Sequence, residues 1–121
     1  MTPAARSVFV FGIYLLILGS LLIGAPNTLL SMLGLPPTDE LWIRVLGVTV
    51  MAIGMLDMAS GRGEQKVFFR ATVSARIFVF VAFTVFVVLK MAPPILIGFG
   101  VVDLVGAIWT HVALRSGTAT A

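Results

Sequence analysis

The sequence predicts an all-α membrane protein: a four-transmembrane-helix bundle with a short interfacial helix between spans one and two. Three observations predict it. Of the 121 residues, 60% are apolar and only 11% charged, whereas water-soluble domains sit near about 45–50% and about 25%. Mean hydropathy is +1.14. The apolar residues also gather into four stretches, each close to the roughly 20 residues that a helix needs to cross hydrocarbon.

Composition excludes several classes. Eight Lys+Arg and five Asp+Glu cannot cover the large relative surface of a small soluble domain, so an ordinary soluble enzyme, a disordered chain and a nucleic-acid module all fall away. The formal charge of +3 speaks instead to orientation in a membrane. Cysteine is absent, which excludes disulfides, Cys-ligated zinc and iron–sulfur sites and leaves the redox compartment open. The start, Met1 to Arg6 before an apolar run, mimics a signal peptide. The small-residue site Ile23-Gly24-Ala25 is followed by Pro26, however, which disfavours cleavage, so the segment is expected to stay as the first span.

Span one is expected over about 7–24, with Thr2 and Pro3 as an N-cap and N1 pair. Ala25 to Pro37 is too apolar for a free loop and too short to cross. It predicts an interfacial helix over about 27–34, stopped by Gly34 and two prolines. Span two is expected over about 41–59, capped by Thr38, with Asp39 and Glu40 in a first turn where negative charge suits the helix dipole. Ser60 to Lys66 reads as a compact polar turn. Span three follows over about 67–89 and span four over about 93–114, with Pro93-Pro94 tolerated at its start and Gly117 beyond its end. Residues 1–115 thus make one domain, and 116–121 read as a disordered tail. Arg6, Arg62, Lys66, Arg70 and Arg115 flank one side and only Lys90 the other, with Asp39 and Glu40. This places both termini in the cytoplasm. Aligning Ala25-Pro26 with Ala92-Pro93 also aligns Trp42 with Trp109, but on opposite membrane faces, which argues against a duplicated hairpin.

Four ionisable residues fall inside the spans: Arg44, Asp57, Arg76 and Asp103. Each costs at least ~2.5–3.5 kcal/mol on insertion scales. At ~1.5 Å per residue, Asp103 lies ~15 Å below the outer boundary and Arg76 ~14 Å above the inner one, at nearly equal depth. Arg76 is therefore the expected partner of Asp103. Arg44, ~5 Å below the outer boundary, could reach towards Asp103, and Asp57, ~3 Å above the inner one, towards Arg76. With His111 these form an expected intramembrane polar cluster. Because the four charges balance, ion pairs that fix helix register account for them at least as well as a ligand pathway. His111 is the sole histidine; without cysteine it makes no zinc site, and a hydrogen bond near the interface is the simpler expectation. No metal site is expected, and no cofactor.

Gly47 and Gly54 in span two, and Gly100 and Gly106 in span four, are the expected helix-packing positions. Small residues let helices approach closely. Gly12, Gly19, Ser20 and Gly24 give span one a similar face. Met51, Met55 and Met58 offer thioethers to Cu(I) but serve as well for flexible packing. Span three holds Phe68, Phe69, Phe78, Phe80, Phe83 and Phe86 on several sides, so part of it must face lipid, a hydrophobic ligand or another protein. No Gly-rich phosphate loop, Gly-x-Ser-x-Gly or His-Glu-x-x-His is present. Enzymatic activity is left open, with the inventory leaning against it.

Arg44-Val45-Leu46-Gly47, the basic turn Arg62 to Arg70 and Val102-Asp103-Leu104 give a layout that resembles small four-span bacterial inner-membrane proteins of accessory role, DoxX-like in size and topology. The pairs Arg44/Gly47 and Ala92/Pro93 also resemble, distantly, the eukaryotic four-span scaffold of sterol biosynthesis. The resemblance covers most of the chain in layout and implies a tethering role in a bacterial inner membrane, with no active-site residues to transfer. The expected function is therefore that of a non-enzymatic accessory or scaffold subunit binding membrane lipid and a membrane-protein partner, or a homo-oligomer, and no nucleic acid. A small oligomeric transporter or channel using the Asp/Arg site is the alternative, and an enzyme acting on a hydrophobic substrate the second.

Overall fold

A computed structural model describes the backbone of residues 1–120 and the side chains of residues 1–116. The described residues form five helices and no strand: α1 (Pro3–Gly24), α2 (Pro26–Met32), α3 (Trp42–Arg62), α4 (Lys66–Val88) and α5 (Ile95–Thr120). α1, α3, α4 and α5 are each long and apolar enough to cross a membrane. Of the expected tail, 116–120 continue α5 as helix, and Ala121 lies outside the described residues.

The ends of the helices follow from local chemistry. Thr2 caps α1 as the sequence predicts: its hydroxyl accepts the Ala5 amide at 3.2 Å and its carbonyl the Arg6 amide at 2.9 Å. α2 starts at Pro26, one residue earlier than expected, because proline suits the first helical position. Thr38 does not cap α3. Its hydroxyl accepts the Glu40 amide at 3.2 Å and its own amide donates to the Asn27 side chain at 2.9 Å, which holds 38–40 in a turn outside the helix. α3 then starts at Trp42 over the Leu41 carbonyl, so its first turn carries no acid. α5 likewise starts at Ile95, after the two prolines, whose carbonyls accept from Leu96 and Ile97.

Three C-termini close in the same way. Leu35 donates to Leu30, Gln65 to Ser60 and Met91 to Phe86, each spanning five residues, while Gly34, Glu64 and Lys90 donate back three residues. This paired pattern is the Schellman motif. It puts Gly34, Glu64 and Lys90 at φ of 73°, 52° and 60°.

The chain divides into two compact units. The first comprises Met1–Val8 and Ser60–Ala121. In it α4 and α5 run antiparallel, as the pairs Phe69 with Ala113 and Phe80 with Gly100 require. Ala4, Ala5, Val8, Phe69 and Ala113 form its buried apolar cluster, with Phe68 and Leu114 packed against it. A Cβ on Gly100 would stand 3.4 Å from the Phe80 backbone, so the hairpin closes there on a bare backbone.

The second unit is Phe9–Ala59. Here α1 and α3 meet through two glycine pairs. A Cβ on Gly12 would stand 2.7 Å from the Gly54 carbonyl oxygen and one on Gly54 2.8 Å from that of Gly12; Gly19 and Gly47 repeat this at 2.7 and 2.8 Å. Both pairs are seven residues apart on both helices, so the same faces stay in contact over two turns. Without an aqueous driving force, such close backbone approach is what holds helices together in lipid.

Candidate functional site

The polar interior of the first unit is built by three helices. α1 buries Ala4, Ala5, Ser7 and Val8 on one face. α5 buries Gly106, Ala107, Thr110 and Ala113, and α4 buries Phe69 and Arg76. Ser7 and Thr110 are fully buried and Arg76 is 4% exposed. Their side chains form one chain of hydrogen bonds. Arg76 Nη2 donates to Thr110 Oγ1 at 2.9 Å, the Thr110 and Ser7 hydroxyls are 2.7 Å apart, and Ser7 Oγ donates to the Ala4 carbonyl at 2.7 Å. A hydroxyl has a single proton. Ser7 spends its proton on Ala4, so Thr110 donates to Ser7 while accepting from Arg76. The polarity runs one way, from guanidinium to backbone carbonyl.

Arg76 Nε also donates to the Thr72 carbonyl at 3.2 Å, one turn back along its own helix. The side chain therefore runs towards the N-terminus of α4, as helical side chains do. Asp103 lies seven residues before Thr110, ~10 Å along α5. It is half-buried on the same stripe as Gly106 and Thr110. Its carboxylate enters no hydrogen bond or ion pair among the described residues, and the charge of Arg76 acts on it only through space. The expected direct Asp103–Arg76 pair is thus replaced by Arg76–Thr110–Ser7. The physical reason is that both side chains lean towards the N-termini of antiparallel helices and so diverge.

The other predicted residues are placed as follows. Asp57 is 2% exposed, on the α3 face that meets α1; its Cβ stands 3.0 Å from where a Gly12 Cβ would be. Arg44 is exposed, and its guanidinium donates to the Ile23 carbonyl in the last turn of α1. A cation on an orphan C-terminal carbonyl also complements the helix dipole. His111 is exposed and makes no hydrogen bond among the described residues, contrary to expectation. Gly47, Gly54 and Gly100 are close-approach positions, and Gly106 is buried. In the second unit, Leu16, Ile17, Ser20, Leu21, Gly24 and Ala25 line an open groove of about 370 Å³. Its one hydroxyl, that of Ser20, donates to the Leu16 carbonyl at 2.7 Å.

Two elements escaped sequence reasoning. Ser7 was hidden at the start of an apolar span, although its i, i+3 spacing from Ala4 places both on one face. The other is Glu64. Its two carboxylate oxygens accept the Thr2 amide and the Thr2 hydroxyl, each at 2.8 Å. In a capping box this carboxylate comes from the N3 residue of the same helix. N3 of α1 is Ala5, and the turn between α3 and α4 supplies the acid instead. These hydrogen bonds to Thr2 hold the Glu64 carboxyl below the usual carboxylate range.

Four helices long and apolar enough to cross a membrane mark an integral membrane protein. Compared with known protein families, curated proteins and solved structures, the chain matches none.

Proposed function

We propose that this chain is a non-enzymatic accessory subunit that binds membrane lipid and a partner membrane protein through its outward surfaces. The observation that carries this reading is the buried Arg76–Thr110–Ser7 chain. Its hydroxyl protons are consumed internally and it ends on backbone carbonyls, so it fastens helices. The outer surface supports the same reading: only 6% of the most apolar window of α4 is buried, and Phe78 and Phe86 are exposed on it. The setting proposed is a bacterial inner membrane, from the resemblance in layout, with both termini cytoplasmic, from the flanking cations.

A second reading is favoured by Asp103, a half-buried mid-span carboxylate with no hydrogen bond of its own. Such a group suits a small oligomeric transporter. Mild extraction followed by native mass spectrometry separates the two. A stoichiometric membrane-protein partner supports the accessory subunit. A homo-oligomer with no partner, together with flux in liposomes that Asp103→Asn abolishes while stability stays normal, overturns it.

A further inference from the structure

The end of the first unit carries a collar of cations. The buried cluster of Ala5, Phe69 and Ala113, with Leu114 against it, gathers the start of α1, the start of α4 and the 113–114 stretch of α5. Arg6, Arg70 and Arg115 each directly follow a member of that packing, one on each helix, and Lys66 lies one turn before Arg70. All four are exposed, and none has a hydrogen bond or ion pair among the described residues. Glu64 is the carboxylate nearest to Lys66 in the chain; both of its oxygens accept from Thr2, and its charge reaches Lys66 only through space. Lys66 and Arg70 are also unfavourably placed. Like charges at i, i+4 repel, and cations oppose the dipole at a helix N-terminus whose first turn has no acid. A chain that holds Lys66 and Arg70 against local helix energetics, with Arg6 and Arg115 exposed on the neighbouring helices, presents a surface for an anion from outside.

We propose that Arg6, Lys66, Arg70 and Arg115 form a docking collar for anionic phospholipid headgroups of the adjoining leaflet. The exposed apolar residues beside them suit acyl chains: Val67 is 79% exposed, between Lys66 and Arg70. The occupant is a lipid because the collar borders the spans themselves, where a headgroup phosphate is held in reach. This deepens the lipid half of the reading above, and its test contains no partner protein, so its failure leaves the partner half standing.

The test uses the full chain in nanodiscs of phosphatidylcholine alone or mixed with phosphatidylglycerol. Lipid retained on the protein is read by native mass spectrometry and unfolding by circular dichroism. The wild type is expected to retain phosphatidylglycerol in preference to phosphatidylcholine. Each cation contributes about fivefold, so Lys66→Gln/Arg70→Gln should lower that preference by roughly 25-fold. In pure phosphatidylcholine the same variant should be at least as stable as wild type, because the repulsion is gone. Lys90→Gln, a cation outside the collar, should leave the preference unchanged. The proposal is overturned if the wild type shows no preference, if Lys90→Gln lowers it as much, or if the double variant unfolds more readily in pure phosphatidylcholine.

Discussion

Glu64 and Lys90 adopt the same left-handed backbone, at φ of 52° and 60°, in the same Schellman position. Glycine normally takes this place, as Gly34 does after α2. An L residue there costs roughly 1–2 kcal/mol, while glycine gives back about 0.4–1 kcal/mol through the freedom of the unfolded chain. Lys90 is exposed and its side chain bonds to nothing described. Lys90→Gly should therefore stabilise the protein by about 0.5–1 kcal/mol. Glu64→Gly makes the same backbone gain but strips both acceptors from Thr2, freeing the first turn of α1. It should destabilise.

The assay is unfolding by sodium dodecyl sulfate in non-ionic micelles, followed by circular dichroism. Lys90→Gln and Glu64→Gln control for charge. Opposite signs for the two glycine variants support the reasoning. A shift in the same direction would refute it, because backbone strain alone would then set both and the Glu64 cap would contribute nothing.

Three further outcomes are expected. Gly54→Ala must push its new methyl against the Gly12 carbonyl, 2.8 Å away, and should cost about 1–3 kcal/mol in the same titration, whereas Gly24→Ala, which meets nothing within 4 Å, should be neutral. Stability that depends on the ionised Glu64 should be complete at neutral pH. Because folding lowers this carboxyl from the ordinary 4.5, that stability should fade as the pH drops below 4.5 through the folded value, and Glu64→Gln should show no such fade. Thr110→Val keeps the shape but removes the acceptor of Arg76 and the donor to Ser7. It should cost about 1–2 kcal/mol, and Thr110→Ser should restore most of it.

The spans were legible because hydrophobic length is a local property of the sequence, and so were Gly47 and Gly54. Their partners Gly12 and Gly19 could have been paired with them from the matching spacing of seven. The cap of α3 was not legible. Thr38 has the chemistry of a cap, but its amide is drawn to Asn27, eleven residues back, and that contact decides where the helix starts. Glu64 was hidden for a related reason. Its partner is 62 residues away, and in sequence a glutamate in a polar turn looks like a solvated one.

Asp103 and Arg76 show why equal depth is not pairing. On an antiparallel hairpin, side chains on facing helices lean in opposite directions, each towards its own N-terminus. The partner of a long cation on α4 therefore lies further towards the C-terminus of α5 than depth alone suggests. Thr110, two turns beyond Asp103, meets that condition, and it has the oxygen to accept. Asp103 is thereby separated from the fastening of the helices. Asp103→Asn should leave resistance to unfolding near wild type while Thr110→Val lowers it. If Asp103→Asn proves as damaging as Thr110→Val, the through-space attraction between Asp103 and Arg76 contributes as much as the hydrogen-bonded chain, and the division between fastening and any other role of Asp103 fails.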